Sequence, residues 1–97
     1  MRQLEWTRSA RRDLFAIAFH YGKFDPRLPL QLLTAIQTAP LMLLDHPEIG
    51  SPTRRRGLRK WKVKQTPFIL FYRHGRDAVT VQSVKHAATD WPGMLDA

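Results

Sequence analysis

The 97-residue sequence predicts an α+β fold in which two antiparallel helices pack on a small antiparallel sheet. Two segments of the first half repeat apolar residues at helical spacing, and three segments of the second half read as the strands of a meander. An alternating segment at the N-terminus adds a short strand. Because 97 residues can bury one core and 43% of them are hydrophobic, we expect a single domain over residues 1–97.

The first elements follow from local patterns. Residues 2–6 alternate in character, which predicts a strand with Leu4 and Trp6 on one face. Thr7 or Ser9 can then cap a helix, because a hydroxyl oxygen accepts an unpaired N–H of the first turn. The apolar residues of this helix form one stripe: Leu14, Ile17, Ala18 and Tyr21. The polar residues pointing elsewhere are expected to face solvent: Arg8, Arg11, Arg12 and Asp13.

A second helix is predicted after a reversal. Gly22 is expected to cap the first helix in a left-handed conformation, and Pro29 suits the first position of the next helix. Pro40 lies inside the second pattern and predicts a kink or break, since an interior proline removes a backbone hydrogen bond. The apolar stripe of this helix is Leu32, Ile36, Ala39 and Leu43.

The three-stranded meander begins after a proline-rich connection over residues 46–52. Residues 58–63 alternate, which places Arg59, Trp61 and Val63 on one face. The other face carries a row of lysines: Lys60, Lys62 and Lys64. Residues 68–73 are nearly all apolar and predict the central strand, and residues 74–77 predict a hairpin turn.

The last strand, residues 79–86, changes phase between Val81 and Val84. A β-bulge near residues 82–83 would restore one face to the valines and to His86, and bulges often re-aim side chains beside functional sites. We therefore expect His86 to share the face of the buried valines.

Composition restricts the possible functions. The net charge is +8, and ten of the 16 basic residues lie in residues 54–86, which favours an anionic partner. The chain has no cysteine, so a disulfide or a thiolate site is impossible. Its histidines and carboxylates lack metal-ligand spacing, and we expect neither a metal nor a cofactor. Without a signal-peptide or membrane-spanning pattern, we expect a cytoplasmic protein with no membrane partner.

Several of these segments together resemble the RelE/ParE superfamily of bacterial toxins, and the ParE branch in particular. The similar segments are residues 10–21, Ile36, Leu43, and Pro47 with Gly50, followed by residues 57–63, 68–73 and 79–86. The resemblance implies the two-helix fold predicted above and the toxin of a type II toxin-antitoxin pair. ParE-like members poison DNA gyrase, whereas RelE-like members cut messenger RNA on the ribosome. One departure is Thr89, which stands where the family often has arginine.

Three functions remain open from the sequence. The first, which we favour, is a ParE-like toxin that binds DNA gyrase without bond chemistry. The second is a metal-independent, ribosome-dependent endoribonuclease in which His86 shuttles a proton while Arg59 and Arg73 hold the phosphate. RelE-like nucleases tend to have a late tyrosine, and the last tyrosine here is Tyr72. The third is an inactive module that only binds an antitoxin.

All three functions predict an acidic, partly disordered, ParD-like antitoxin covering the basic surface, with operator DNA bound only through that complex. The aromatic residues Trp61 and Tyr72 fit the core better than a base-stacking role. We predict the following residues for target or antitoxin binding: Arg54, Arg55, Arg56, Arg59, Lys60, Lys62, Lys64, Arg73, Arg76 and Trp91.

Overall fold

The computed structural model describes residues 2–88 and contains a helical hairpin packed on a five-stranded sheet. The elements, in chain order, are β1 (Gln3–Trp6), α1 (Arg8–Gly22), α2 (Leu28–Thr38), a 3-10 helix (Ala39–Leu44), β2 (Ser51–Pro52), β3 (Arg59–Lys62), β4 (Phe68–His74) and β5 (Ala78–His86). This architecture confirms the predicted fold class. Across residues 2–88, no helix is both long and apolar enough to cross a bilayer.

The sheet has the strand order β1-β5-β4-β3-β2, so the apolar β4 is central as predicted. The meander strands pair antiparallel, whereas β1 pairs parallel with β5, with Leu4 opposite Val79. The sheet is therefore mixed, and the prediction of an antiparallel sheet is wrong for β1, whose direction depends on a pairing between distant segments. Strand β2 was not predicted, because its two residues, Ser51 and Pro52, have no alternating pattern of their own and are defined by pairing with β3.

Helix α1 begins where the sequence predicts. The Ala10 N–H donates to the Thr7 hydroxyl at 3.0 Å, so Thr7 is the N-cap. Ile17 is buried in the core, and Leu14 and Tyr21 pack against it. The prediction for Gly22 is wrong: Gly22 stays in the helix, and Lys23 follows in a right-handed conformation. The backbone N–H of Lys23 bonds the carbonyls of the last turn, so the helix ends without a left-handed residue.

Pro40 breaks the second helix as predicted. Helix α2 ends at Thr38, and the chain tightens into the 3-10 helix that contains Pro40. The predicted stripe still faces inward along both helices, because Ile36 and Leu43 are both fully buried. The 3-10 helix thus extends the helical layer over the end of the sheet, where Leu43 packs with Tyr72 and Val79.

The predicted bulge is present in β5. Leu70 lies opposite Val84, Phe71 opposite Ser83, and Tyr72 opposite Val81. Gln82 is therefore the extra residue, and the strand continues beyond it with the phase shifted by one. Val79, Val81 and Val84 all face the helices as a result, and His86 shares their face.

The prediction that Asp13 faces solvent is wrong, because its carboxylate contacts β5. Its Oδ2 accepts the Val84 N–H at 2.8 Å, and its Oδ1 lies 3.4 Å from the Lys85 ammonium. Strand β1 pairs with β5 only as far as Val81, so the later N–H groups of that edge need another partner. Helix α1 supplies one in Asp13.

Candidate functional site

The side of the sheet away from the helices, here called the outer face, is basic. Arg73 alternates with the buried Tyr72, and Lys85 alternates with the buried Val84, so both point outward. In β3 the lysines lie opposite outward residues of β4, Lys60 opposite Phe71 and Lys62 opposite Ile69. The cations predicted from the lysine row thus join Arg73 and Lys85 on one surface.

The loop of residues 53–58 borders one end of this face. The Thr53 hydroxyl donates to the Leu58 carbonyl at 2.9 Å and accepts the Arg55 N–H at 3.2 Å. Gly57 permits the turn with a φ of 80°. The Arg73 guanidinium donates to the Arg56 carbonyl at 2.8 Å. The three predicted arginines of this loop, Arg54, Arg55 and Arg56, are therefore exposed on a structured turn.

Arg59 lies on the opposite side of the sheet from Arg73. It pairs with Tyr72 in the register, and its guanidinium donates to the carbonyls of Glu48 at 3.1 Å and Gly50 at 2.7 Å. These two bonds hold the connection that precedes β2. Arg59 is thus half-buried and has a structural function within the fold.

Tyr72 anchors the same connection from the core. Its hydroxyl donates to the Pro47 carbonyl at 2.7 Å and accepts the Gly50 N–H at 3.0 Å. Burial raises the pKa of the Tyr72 phenol, and the Gly50 N–H and the Arg59 charge offset part of that rise. Tyr72 is fully buried, which confirms its assignment to the core and places it out of reach of a nucleic-acid base.

His86 ends β5 against the core. Its ring packs edge-on against Phe68 with centroids 5.6 Å apart, and its Nδ1 accepts the Ala88 N–H at 3.0 Å. His86 pairs with Phe68, whereas Arg59 pairs with Tyr72, four residues along β4. That separation corresponds to about 13 Å. With Arg73 on the other face, the structure does not bring the three nuclease candidates together.

An apolar groove runs between the helical layer and β3. Its volume is about 320 Å³, and its lining includes Ala39, Met42, Trp61 and Val63, with Lys62 and Lys64 at the strand side. The helical hairpin also exposes apolar side chains away from this groove. They lie on α1, on α2 and between the two helices: Phe15 at 78%, Phe19 at 70%, Phe24 at 72% and Leu30 at 74%. Where exposed apolar side chains form a large contiguous patch, that patch is typical of a protein-interaction surface.

The remaining predicted residues are spread out. Arg76 is exposed in the turn between β4 and β5, Lys64 is exposed beyond β3, and Trp91 lies outside the described residues. Within residues 2–88 there is no cluster of three or more potential metal ligands.

Two outer-face residues, Ser83 and Lys85, and the α1 residue Asp13 were not predicted to matter. The strand period places Ser83 and Lys85 beside each other on one face, so their proximity could have been inferred once the bulge was placed. No sequence pattern identifies the contact of Asp13 with β5, because the two segments are 71 residues apart.

Both the sequence and the fold of this chain have relatives. The sequence model of the family described as "ParE toxin of type II toxin-antitoxin system, parDE" matches residues 4–91. The chain belongs to the ParE toxin family. It is also 33% identical over 94 residues to "Putative toxin Y4kP" of Sinorhizobium fredii (strain NBRC 101917 / NGR234), covering 97% of each chain. This ParE-family chain is therefore a toxin of the type II toxin-antitoxin class.

Solved structures agree with the assignment to the ParE family. A chain of the chromosomal ParDE toxin-antitoxin system from P. aeruginosa superposes with a TM-score of 0.77 at 28% identity, over 89% of this chain and 96% of that one. A chain of the E. coli DinJ-YafQ complex superposes with a TM-score of 0.53 at 16% identity, over 94% and 99%. The second likeness is one of fold alone.

Proposed function

We propose that this ParE-family toxin arrests growth by binding DNA gyrase, without cleaving RNA, and that a ParD-like antitoxin neutralises it. Two findings support the proposal. The family model that matches residues 4–91 is that of ParE toxins, the branch associated above with gyrase. The separation of Arg59, Arg73 and His86 is the observation that weighs against the nuclease alternative, because general acid-base catalysis needs the groups within hydrogen-bond reach of one substrate.

The hydrogen bonds of Arg59 and Tyr72 also favour binding over RNA cleavage. The guanidinium of Arg59 bonds two backbone carbonyls, and Tyr72 is buried with its hydroxyl bonded on both sides. Moving the Arg59 nitrogen that donates both bonds onto a phosphate would release the connection before β2. A binding protein needs no such rearrangement, because its exposed charges and apolar side chains already face solvent.

The antitoxin in this proposal is an acidic segment with apolar side chains. The net charge of +8 favours an acidic partner, and the groove beside Trp61 and Val63 offers a place for apolar anchors next to Lys62 and Lys64. A segment that is disordered when free could follow both surfaces as it folds. The similar chain from P. aeruginosa belongs to a ParDE toxin-antitoxin system, which supports an antitoxin as the partner.

Two parallel assays test the proposed target. Purified toxin is added to a DNA gyrase supercoiling reaction and to a programmed-ribosome mRNA cleavage reaction. We expect supercoiling to stop and the mRNA to stay intact. Cut mRNA together with continued supercoiling would overturn the proposal and favour the ribosome-dependent endoribonuclease, while inactivity in both assays would favour the inactive antitoxin-binding module.

His86 provides a residue-level test. Replacing it by alanine should leave growth arrest nearly unchanged if the toxin acts by binding, whereas a proton-transfer role would abolish it. His46→Ala, at an exposed position, is the matched control for loss of an imidazole. Growth after induction, compared at equal amounts of folded protein, is the measurement. Loss of arrest in His86→Ala alone would contradict a purely binding mechanism.

Substitutions in the loop of residues 53–58 test whether its positive charges contribute to binding. Replacing Arg54, Arg55 and Arg56 together by alanine should weaken binding to the antitoxin or to gyrase and reduce its dependence on salt. The matched control removes three charges from α1: Arg8, Arg11 and Arg12. Equal effects of the two triple variants would show that net charge, and not this loop, drives association.

A further inference from the structure

A second cavity, of about 320 Å³, opens on the outer face where four elements meet. Ser9 of the first turn of α1, Arg55 of the loop, Arg73 of β4, and Ser83 and Lys85 of β5 all line it. These residues are up to 76 positions apart in the sequence, between Ser9 and Lys85, so only the folded chain brings them together. The proposed function leaves open which small ligand this cavity takes.

The cavity has more positive charge than its surroundings neutralise. Three cations line it and, among the described lining residues, none is acidic. Lys85 is paired with Asp13 at 3.4 Å, but the other oxygen of that carboxylate accepts the Val84 N–H. Arg73 uses one nitrogen for the Arg56 carbonyl, which leaves further N–H donors. Within residues 2–88, the Arg55 guanidinium makes no hydrogen bond.

Ser83 adds a neutral donor in the wall. It is only 8% exposed, and among residues 2–88 no hydrogen bond involves its hydroxyl. Because Val84 faces the core, its neighbour Ser83 faces outward, toward the cavity. The Ser83 hydroxyl is open to the cavity, because among residues 2–88 no buried side-chain oxygen or nitrogen lacks a hydrogen-bond partner, and it can therefore donate to a ligand there. The bulge at Gln82 is what places Ser83 on this face.

We propose that this cavity binds a phosphate group, as a free ion or as the phosphate of a nucleotide. Arginine forks and a lysine ammonium are the usual ligands of phosphate, since several charge-assisted hydrogen bonds converge on its oxygens. The positive end of α1 adds to the field through its first turn, in which Ser9 lies. A volume of about 320 Å³ has room for a phosphate with the sugar that bears it.

Titration of the full-length toxin tests the proposal. Inorganic phosphate, a 5′-phosphorylated dinucleotide and the same dinucleotide without its 5′-phosphate are added at low salt while amide resonances are followed by NMR. We expect saturable shifts at Ser9, Ser83 and Lys85 with both probes that have a terminal phosphate. Tighter binding of the phosphorylated dinucleotide identifies a nucleotide site, and equal affinities identify a site for the free ion.

Single substitutions distinguish direct binding in this cavity from general attraction by the positive charge of the outer face. Arg55→Ala should weaken phosphate binding about tenfold, and Ser83→Ala should weaken it a few-fold, because each removes a direct donor. Arg56→Ala is the matched control, since it removes the same charge from the same loop at a residue that does not line the cavity. Thermal unfolding of each variant verifies that it is folded.

Three outcomes would overturn the proposal. Equal weakening by Arg56→Ala and Arg55→Ala would mean that phosphate responds only to the overall field. The absence of saturable shifts would mean that the cavity holds no phosphate. Tighter binding of a hexaglutamate peptide than of phosphate, lost in Arg55→Ala, would mean that the cavity receives carboxylates of an acidic protein.

Discussion

Arg59 and Arg73 lie on neighbouring strands of one sheet, yet they have different surroundings. Arg59 shares the side of Tyr72 and donates both of its hydrogen bonds to carbonyls of the connection 48–50. Arg73 lies on the outer face, makes one bond to the loop carbonyl of Arg56, and lines a cavity open to solvent. Two arginines that look alike in the sequence therefore differ in what they can bind, because Arg59 is half-buried against this connection whereas Arg73 is exposed beside the cavity.

Gly50→Ala should lower the free energy of unfolding the most, because Gly50 lies in the connection that Arg59 and Tyr72 hold. An added Cβ would lie 2.3 Å from the Tyr72 hydroxyl oxygen and 2.8 Å from the Lys60 carbonyl oxygen, and the backbone cannot easily move away. We expect a loss of about 3 kcal/mol in the free energy of unfolding, measured with urea. Gly75→Ala is the control, since nothing lies within 4 Å of its Cβ position. Similar stability of both variants would contradict the close packing of Gly50.

Tyr72→Phe should cost about 2 kcal/mol, because it leaves the Pro47 carbonyl and the Gly50 N–H without their buried partner. Urea unfolding at neutral pH is the measurement. Tyr21→Phe is a suitable control, since Tyr21 is only partly buried and packs through its ring. An equal loss in the two variants would assign the effect to the phenol in general.

The difference in the free energy of unfolding between wild type and Tyr72→Phe should become smaller in alkaline solution. Burial holds the pKa of Tyr72 above its ordinary value, so the folded protein keeps a proton that the unfolded chain releases near pH 10. The stability from the protonated phenol is complete below that pH and is lost as the pH rises through the raised pKa. The margin between wild type and variant should therefore narrow from pH 9 to pH 11, and a constant margin would contradict this.

Arg59→Ala and Arg73→Ala compare the two faces directly. Arg59→Ala should lower the free energy of unfolding by about 1.5 kcal/mol through the loss of two bonds to the connection. Arg73→Ala should change it by less than about 0.5 kcal/mol, since the side chain is exposed, while weakening phosphate binding. Unfolding and phosphate titration of both variants provide the two measurements. A reversed pattern would show that the assignment of the faces is wrong.

Asp13→Ala should lower the free energy of unfolding by about 1 kcal/mol, because it removes the acceptor of the Val84 N–H at a partly buried edge. Lys85→Ala should cost less, since the ion pair is weak when partly exposed. A double-mutant cycle measures the coupling, which we expect to be below about 1 kcal/mol. A larger coupling would mean that the ion pair, and not the backbone hydrogen bond, holds α1 to β5.

Much of the fold could be predicted because its signals are local. The stripe containing Leu14, Ile17 and Tyr21 defines α1, Pro40 ends α2, and the odd spacing between Val81 and Val84 requires a bulge. Each signal depends on residues a few positions apart, where helix and strand periods dictate the direction of side chains. The membership in a toxin family was likewise predicted from motifs and was confirmed by the match over residues 4–91.

Local patterns in the sequence were thus sufficient to predict both helices, four of the five strands, the central position of β4 and the family. Three features depend on the tertiary structure: β1 pairs parallel with β5, and the Asp13 carboxylate accepts a hydrogen bond from β5. The third is that Arg59 is half-buried and bonds the Gly50 carbonyl, whereas Arg73 is exposed and bonds the Arg56 carbonyl. The tertiary structure also decided that Arg55, Ser83 and Lys85 meet around one cavity. The physical reason is distance along the chain: a period fixes which face a side chain occupies, but its partners come from segments that only folding brings into contact.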